Sequence, residues 1–322
     1  MRVFEEAEHV YRVPVYNPFG PLPTNAYLLD GDRLGLFDVG PDHPRSWEEL
    51  KEGLATLGKK PEEIDAVILS HGHADHDGLA HRFTWAQVLI GRPDLHKITD
   101  YSGHLERYEA VVRAVLPSWG PPPRLADRIP AFFSHLRRSG GSVPWAESLD
   151  DGTVVRGFGP TLRVVACPGH CEGLICLFRD EDGVLLSADQ LLEHVISSPS
   201  LNILENPLGT GLADYAASCH KLLSLDATRA LPGHGPGFAG VRARLGEVLA
   251  YEERRQQQAL AAVGEGVTVY ELSRVLFPSA GGDNPYLSFV VLVESFSRVN
   301  LLVEQGAVES TMSEGRLIYR RI

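Results

Sequence analysis

The residues His71-Gly-His73-Ala-Asp75-His76 stand directly after a short apolar run, Ile64 to Ser70, and this juxtaposition constrains the chain more than any other feature. The run reads as a buried strand that ends at His71. Alternate side chains at a strand end point the same way, and the turn that follows brings Asp75 and His76 alongside His71 and His73. Four ligand-type side chains therefore converge on one small volume. Neutral imidazole and ionised carboxylate bind Zn2+ and other borderline first-row cations, and catalytic sites of this kind keep a coordination position open for water. The bland alternative is a solvated polar turn, but four such residues within six at a strand end weigh against it.

A length of 322 residues predicts one large core with a smaller attached unit. The composition, 43% hydrophobic and 22% charged, is ordinary for a globular protein, and no uninterrupted apolar run reaches the length of a membrane span, so no membrane association is expected. The acidic N-terminal stretch lacks the positive and then apolar pattern of a secretory signal, which places the expected location in the cytoplasm. Cysteines 167, 171, 176 and 219 form no CxxC pair and read as buried free thiols. The formal net charge of −12 repels polyanions at long range and disfavours broad non-specific binding to nucleic acid, while leaving room for a local basic groove.

Along the chain, residues 11 to 40 alternate apolar runs with turn residues and read as antiparallel strands, and 46 to 57 has helical spacing. Residues 91 to 150 are polar helical segments broken by ProSerTrpGlyProProPro at 117 to 123 and by Gly140 and Gly141, the pattern of an inserted helical cap. Strands return at 161 to 166 and 174 to 178, the latter joined by a hairpin to 184 to 188, with a further short strand at 229 to 231. Helices are predicted at 215 to 225 and 241 to 262. The last segment reads as helix (269 to 277), helix (287 to 305) and two short strands around 313 to 315, a winged-helix outline. The expected division is residues 1–240 as the catalytic domain, 241–263 as a linking helix and 264–322 as a winged-helix-like domain. The fold class is α/β or α+β, with two layered sheets covered by helices.

HxHxDH is the signature of the metallo-β-lactamase superfamily, and the chain resembles that superfamily in the rest of its ligand pattern too. His170 lies in CysProGlyHisCysGluGly, Asp189 in LeuSerAlaAspGln and His234 in LeuProGlyHisGly, each at the end of a predicted strand. The resemblance implies a four-layer αββα sandwich with a helical insertion. It also implies that His71, His73 and His170 hold a first metal, that Asp75, His76 and His234 hold a second, and that Asp189 bridges them. Two Zn2+ per chain are expected, with iron or manganese as alternatives that the same ligand types accept. Two bridged cations make a hydroxide available near neutrality, so the implied activity is hydrolysis without a Ser or Cys nucleophile, with Asp75 and Asp189 as the catalytic carboxylates. Asp38 ends the strand LeuGlyLeuPheAsp where the superfamily keeps an aspartate near the metal loop, so the resemblance implies a group that orients a ligand histidine, with a turn former as the alternative. Cys171 replaces the Ser or Thr commonly found after the equivalent of His170, which predicts a missing or weaker hydrogen bond there. The remaining histidines fit no ligand pattern, although His104 and His135 lie in the cap, where they can face substrate.

Departures from individual branches narrow the substrate. β-Lactam-degrading relatives are exported and usually carry Cys where Asp189 stands, and the di-iron oxygen-reducing relatives carry Glu where His73 stands. The ligand set resembles glyoxalase II and related ester or thioester hydrolases. The helical linker and winged-helix-like end resemble a lactamase-like single-strand endoribonuclease. A lactone hydrolase shares the whole set, and a purely structural zinc site conflicts with open coordination positions. The C-terminal unit offers only Arg274, Arg298, Arg316, Arg320 and Arg321 among several glutamates, thin for tracking phosphates, and packing on the cap or homodimerisation is the competing expectation. The preferred expectation is a small ester or thioester as substrate, with RNA as the alternative partner. The cap then serves as a lid, with Trp119, Phe132, Phe133 and Trp145 forming either pocket walls or the cap's own core.

Overall fold

The computed structural model describes residues 2–199, 211–280 and 284–322. Seven strands form a first sheet in chain order: β1 (Phe4–Ala7), β2 (Val10–Val15), β3 (Thr24–Asp30), β4 (Leu34–Phe37), β5 (Ala66–Leu69), β6 (Gln87–Gly91) and β7 (Glu147–Leu149). Its first half is antiparallel and β4 to β7 are parallel. The second sheet runs β13-β12-β11-β10-β9-β8, from β8 (Val154–Val155), β9 (Leu162–Ala166), β10 (Ile175–Arg179), β11 (Val184–Ala188), β12 (Arg229–Pro232) and β13 (Phe238–Ala239). A separate hairpin pairs β14 (Val308–Ser313) with β15 (Arg316–Arg321).

Period-two alternation sorts the central strands into layers. In β5, Ala66 and Ile68 join Leu177, Leu186 and Leu231 of the second sheet in one buried cluster. Val67 and Leu69 face the other way, onto Leu50 and Leu54 of α1 (Pro44–Thr56). In the second sheet, Val165, Phe178 and Leu185 pack on Tyr215 and Leu222 of α6 (Gly211–Leu223) and on Leu245 of α7 (Val241–Val263). Both sheets are thus covered on both faces, which explains why their central strands are continuous apolar runs. The layers read helix, sheet, sheet, helix. All four cysteines are buried free thiols.

Between β6 and β7 lie α3 (Leu95–Thr99), α4 (Tyr101–Val115) and α5 (Pro123–Leu136). The expected cap of 91 to 150 therefore includes a strand, because β7 completes the first sheet beside β6. After α7 come α8 (Val269–Leu276) and α9 (Pro285–Glu304), then the hairpin. Thr268 and Glu271 form a reciprocal capping box at α8, and Asn284 caps α9 through the amides of Tyr286 and Leu287. These elements share one core with the cap: Leu105, Trp119 and Phe133 pack with Leu272, Phe296, Val299 and Tyr319. Trp119 is wholly buried, its ring 4.7 Å from that of Phe296, so it belongs to this core and not to a pocket wall. Among the described residues α9 is long and apolar enough to cross a membrane by length and composition, which the reading of apolar runs did not anticipate. Here it is an interior helix, with Leu292, Phe296 and Arg298 buried.

Candidate metal centre

Parallel strands aim their carboxyl ends at one edge of the sandwich, where loops gather. His71, His73, Asp75 and His76 follow β5 there, with the last two on the single turn α2 (Ala74–Asp77). His170 follows β9, Asp189 follows β11 directly, and His234 follows β12. All seven predicted ligands come together. Nε2 of His71 and Nε2 of His170 lie 2.9 and 3.0 Å from Nδ1 of His73. Three nitrogens around one tetrahedral ion at about 2.0 Å would stand about 3.3 Å apart, so this triad needs only slight spreading. Nε2 of His234 lies 3.4 Å from Asp75 Oδ2, and Nε2 of His76 lies 3.9 Å from the same oxygen. Asp189 stands between the two triads: Oδ1 is 3.5 Å from His76 Nε2, and Oδ2 is 3.5 Å from His234 Nε2 and 3.8 Å from His170 Nε2. His76 Nε2 and Asp189 Oδ1 are buried without a hydrogen-bond partner among the described residues. Orphaned atoms of this kind are costly unless something fills the gap, and a cation fits it.

The far side of nearly every imidazole is fixed. Asp38 accepts from Ser70 N and from Ser70 Oγ at 2.7 Å each, and its Oδ2 lies 2.9 Å from His76 Nδ1. Ser70 Oγ is in turn 2.8 Å from His71 Nδ1. Asp38 is therefore more than a turn residue. His170 Nδ1 faces Ser197 Oγ at 2.8 Å and the Ser198 carbonyl at 3.0 Å, and His234 Nδ1 faces the Pro23 carbonyl at 3.0 Å. Asn17 Nδ2 donates to Asp75 Oδ2 at 3.2 Å. With those ring nitrogens engaged, the opposite nitrogen is left to face the centre. The backbone is shaped for the same end. Asp38 and Ala188 hold positive φ values of 60° and 45°, strained for non-glycine residues. At Gly233 a Cβ would stand 2.3 Å from Asp189 Oδ1, so only glycine lets the His234 loop approach the bridging position.

Burial dominates the charge state. It pushes the imidazoles of His71 and His170 down, and that of His73 down to about 3, which keeps them neutral and able to ligate. Burial also opposes charge on His76 and His234, but the carboxylates of Asp189 and Asp75 overcome it, raising His76 and taking His234 up to about 10. Burial alone would raise Asp75 and Asp189, yet the same imidazoles hold both below the usual carboxylate range. Without a cation the second triad is thus a set of imidazolium–carboxylate pairs. Asp77, buried with neither oxygen partnered among the described residues, is pushed up to about 8 by burial.

Sequence reasoning missed Asp94. Its Oδ2 accepts from Gly72 N at 2.9 Å and from Cys171 Sγ at 3.2 Å, its Oδ1 from Gly173 N at 3.0 Å, and Lys97 Nζ lies 2.5 Å away. It ties the His71–His76 loop to the His170 loop. The Cys171 thiol thus has a partner, a finding against a missing bond there. Only the local ArgProAsp sequence marks Asp94, and that reads as a turn. Ser70, Ser197, Ser198 and Asn17 carried no periodic signal either.

The His/Asp cluster opens into a cavity of about 570 Å3. Leu105, Phe132 and Leu136 of the cap, Tyr286 and Val293 of α9, and Ile196 line it. Of the four aromatic residues considered for its walls, Phe132 and Phe133 line it, while Trp119 and Trp145 do not. His104 lines it, and His135 packs outside it against Phe132.

Comparison with known proteins agrees with this geometry. The metallo-beta-lactamase superfamily profile matches residues 19–234. The probable metallo-hydrolase YqjP of Bacillus subtilis is 28% identical, covering 97% of each chain. An atrochrysone carboxyl ACP thioesterase of Emericella nidulans is 26% identical over 74% of this chain, which spans 59% of that protein. The crystal structure of a metallo-beta-lactamase family protein from Thermus thermophilus superposes with a TM-score of 0.84 at 28% identity, covering 98% of this chain and 99% of that one. With its sandwich, its His/Asp cluster and a profile match over most of its length, the chain belongs to the metallo-beta-lactamase superfamily, a hydrolase superfamily dependent on metal.

Proposed function

We propose that the chain is a binuclear metal-dependent hydrolase acting on an ester or thioester of a small molecule. The observation that carries this reading is the position of the Asp189 carboxylate between two ligand triads, at the floor of an apolar cavity. His71, His73 and His170 would hold one cation, Asp75, His76 and His234 the other, and Asp189 would bridge them. Two bound cations, zinc by ligand type, would supply a strong nucleophile from water at neutral pH and a Lewis acid for the developing oxyanion. The chain's own residues keep this arrangement in place. Asp38 and Ser70 fix His76 and His71, Ser197 and Ser198 fix His170, and Asn17 steadies Asp75. The cap and α9 cover the centre and exclude water from an apolar substrate.

The relatives named as thioesterases support an acyl substrate. Two observations weigh against RNA: the lining is largely apolar, and Arg298, one of the five basic residues of the C-terminal unit, is wholly buried in ion pairs. The deciding experiment is a hydrolysis panel on metal-loaded protein with thioesters, esters, lactones, phosphodiesters and single-stranded RNA. The expected result is cleavage of the thioesters or esters. Efficient RNA cleavage that weakens with salt, with negligible thioesterase activity, overturns the proposal.

A further inference from the structure

We infer that the site is built for a neutral, apolar acyl group of on the order of ten carbons, seated between the cap and α9; this rests on the acyl hydrolase reading above. A cavity of about 570 Å3 is far larger than an acetyl or lactoyl group needs. At about 30 Å3 per heavy atom it holds on the order of fifteen to twenty atoms, enough for the reacting centre and a long acyl group. Its side walls are mainly apolar: Leu105, Phe132 and Leu136 on one side, the ring of Tyr286 with Phe289 and Val293 on the other. Ring contacts join these sides, with Phe132 5.0 Å from Tyr286 and Phe133 5.9 Å from Phe289. α9 is therefore half of the acyl site.

The route from solvent is apolar too. Leu22, Val195 and Leu287 are 41%, 49% and 44% exposed, and all three line the cavity. Exposed large apolar side chains gathered at one opening mark a surface that receives an apolar ligand. Charge selects in the same direction. Beyond the metal-ligand cluster, Glu172 and Asp214 line the cavity and disfavour an acyl group bearing a carboxylate or phosphate, and the Lys97 ammonium is already paired with Asp94. In the reaction, the oxygen of water bonds to the acyl carbon and the carbon–sulfur bond breaks with its electron pair on sulfur. The leaving thiolate takes one proton and the carboxylic acid releases the other as it becomes carboxylate.

The test uses the metal-reconstituted full chain and thioesters of a single small neutral thiol. Their acyl chains run from two to fourteen linear carbons, with a phenylalkanoyl member of matched carbon number to separate aliphatic from aromatic occupants. kcat/KM is expected to rise roughly fourfold per methylene and to level off near ten carbons. Leu105→Trp, which fills part of the cavity, should move the levelling point to shorter chains. Binding offers a readout without turnover: calorimetry on metal-free protein should detect the neutral decanamide but not acetamide, and Leu105→Trp should weaken the decanamide signal. Should that variant fail to fold, the chain-length series and the decanamide titration of the unaltered protein still decide. Thioester hydrolysis with a flat or falling dependence on chain length overturns this inference and leaves the acyl hydrolase reading standing. No cleavage of any ester or thioester overturns both.

Discussion

Glu294 of α9 accepts a hydrogen bond from Ser198 Oγ at 2.8 Å, and the carbonyl of that same serine stands 3.0 Å from Nδ1 of His170. This last helix therefore reaches the His/Asp cluster through one residue. A proton held on Nδ1 by a carbonyl leaves the lone pair of Nε2 facing the centre. Glu294 is itself anchored, since Arg298 donates to it at 2.7 Å and to Glu252 of α7 at 2.8 Å. This buried group holds two carboxylates and one guanidinium, and burial raises the Glu252 carboxyl.

That imbalance sets a first prediction. Arg298→Leu should cost about 3–5 kcal/mol at pH 7, read by denaturant unfolding, because it leaves two buried carboxylates facing each other. Glu294→Gln keeps its oxygen for Arg298 and turns its amide NH2 to the Ser198 hydroxyl, which can accept, beside a balanced Arg298–Glu252 pair, so it should cost only about 1 kcal/mol and leave metal affinity unchanged. Glu294→Leu removes the Ser198 acceptor and should weaken metal affinity by about tenfold in chelator competition. Equal affinities for the Gln and Leu variants would show that the link to His170 carries nothing.

Asp38 gives the second. Its backbone holds φ of 60°, a region that Asn tolerates almost as well as Asp, so Asp38→Asn changes the side chain without adding backbone strain. The amide cannot satisfy Ser70 N, Ser70 Oγ and His76 Nδ1 together as the carboxylate does. A drop of about 10- to 100-fold in metal affinity or kcat/KM is expected. Full activity in the Asn variant would reduce Asp38 to a turn residue.

The contrast between Asp38 and Asp94 shows how much was legible beforehand. Two layered sheets and the cluster His71, His73, Asp75 and His76 were readable from local pattern, a short apolar run closed by ligand-type residues, whereas the resemblance to the superfamily supplied the sandwich order and His170, Asp189 and His234. Asp38 was half legible, as it ends a strand where the superfamily keeps an aspartate. Asp94 takes its role from Gly173, Cys171 and Gly72, far away in sequence, and its own neighbourhood says only that a turn lies there. Trp119 posed the same problem. An aromatic in a helical cap serves a wall or a core according to what lies opposite, and Phe296 lies opposite. The C-terminal segment could be read as helix, helix and hairpin, and its thin basic charge pointed to packing on the cap, but the residues that make the shared core could not be paired from sequence. β7 was too short, at three residues, to carry a pattern.

A third prediction concerns protons. In metal-free protein, the His234 imidazole at about 10 and the raised His76 carry protons at pH 7 that a cation must displace. Calorimetry in buffers of different ionisation heats should show about two protons released per chain at pH 7, and affinity should rise with pH up to about 10. The stability of the metal-free chain moves the other way. Because the His234 value lies above its ordinary 6.5, the pairing contributes fully below about 6.5 and is lost as pH rises through about 10. His234→Ala should remove that part of the alkaline slope. Metal binding without proton release at pH 7 would contradict the paired state.

The last prediction separates a bridged pair of ions from a single site. Asp189 reaches both triads, whereas His73 belongs to one, so their substitutions should differ in metal content while agreeing in activity. Reconstituted protein is expected to carry close to two ions per chain by elemental analysis. His73→Ala weakens one site and should bring the content toward one, and Asp189→Ala should loosen both, since each ion loses a negative ligand. Each variant should lower kcat/KM by at least about 100-fold. Neither should unfold, because the apolar clusters between and outside the sheets include none of the seven ligands. Circular dichroism and thermal melting check that independently of activity. A wild type that saturates at one ion with full activity would sink the bridged arrangement, and loss of native circular dichroism in either variant would mean that the ions, and not the two-sheet core, hold this edge of the sandwich together.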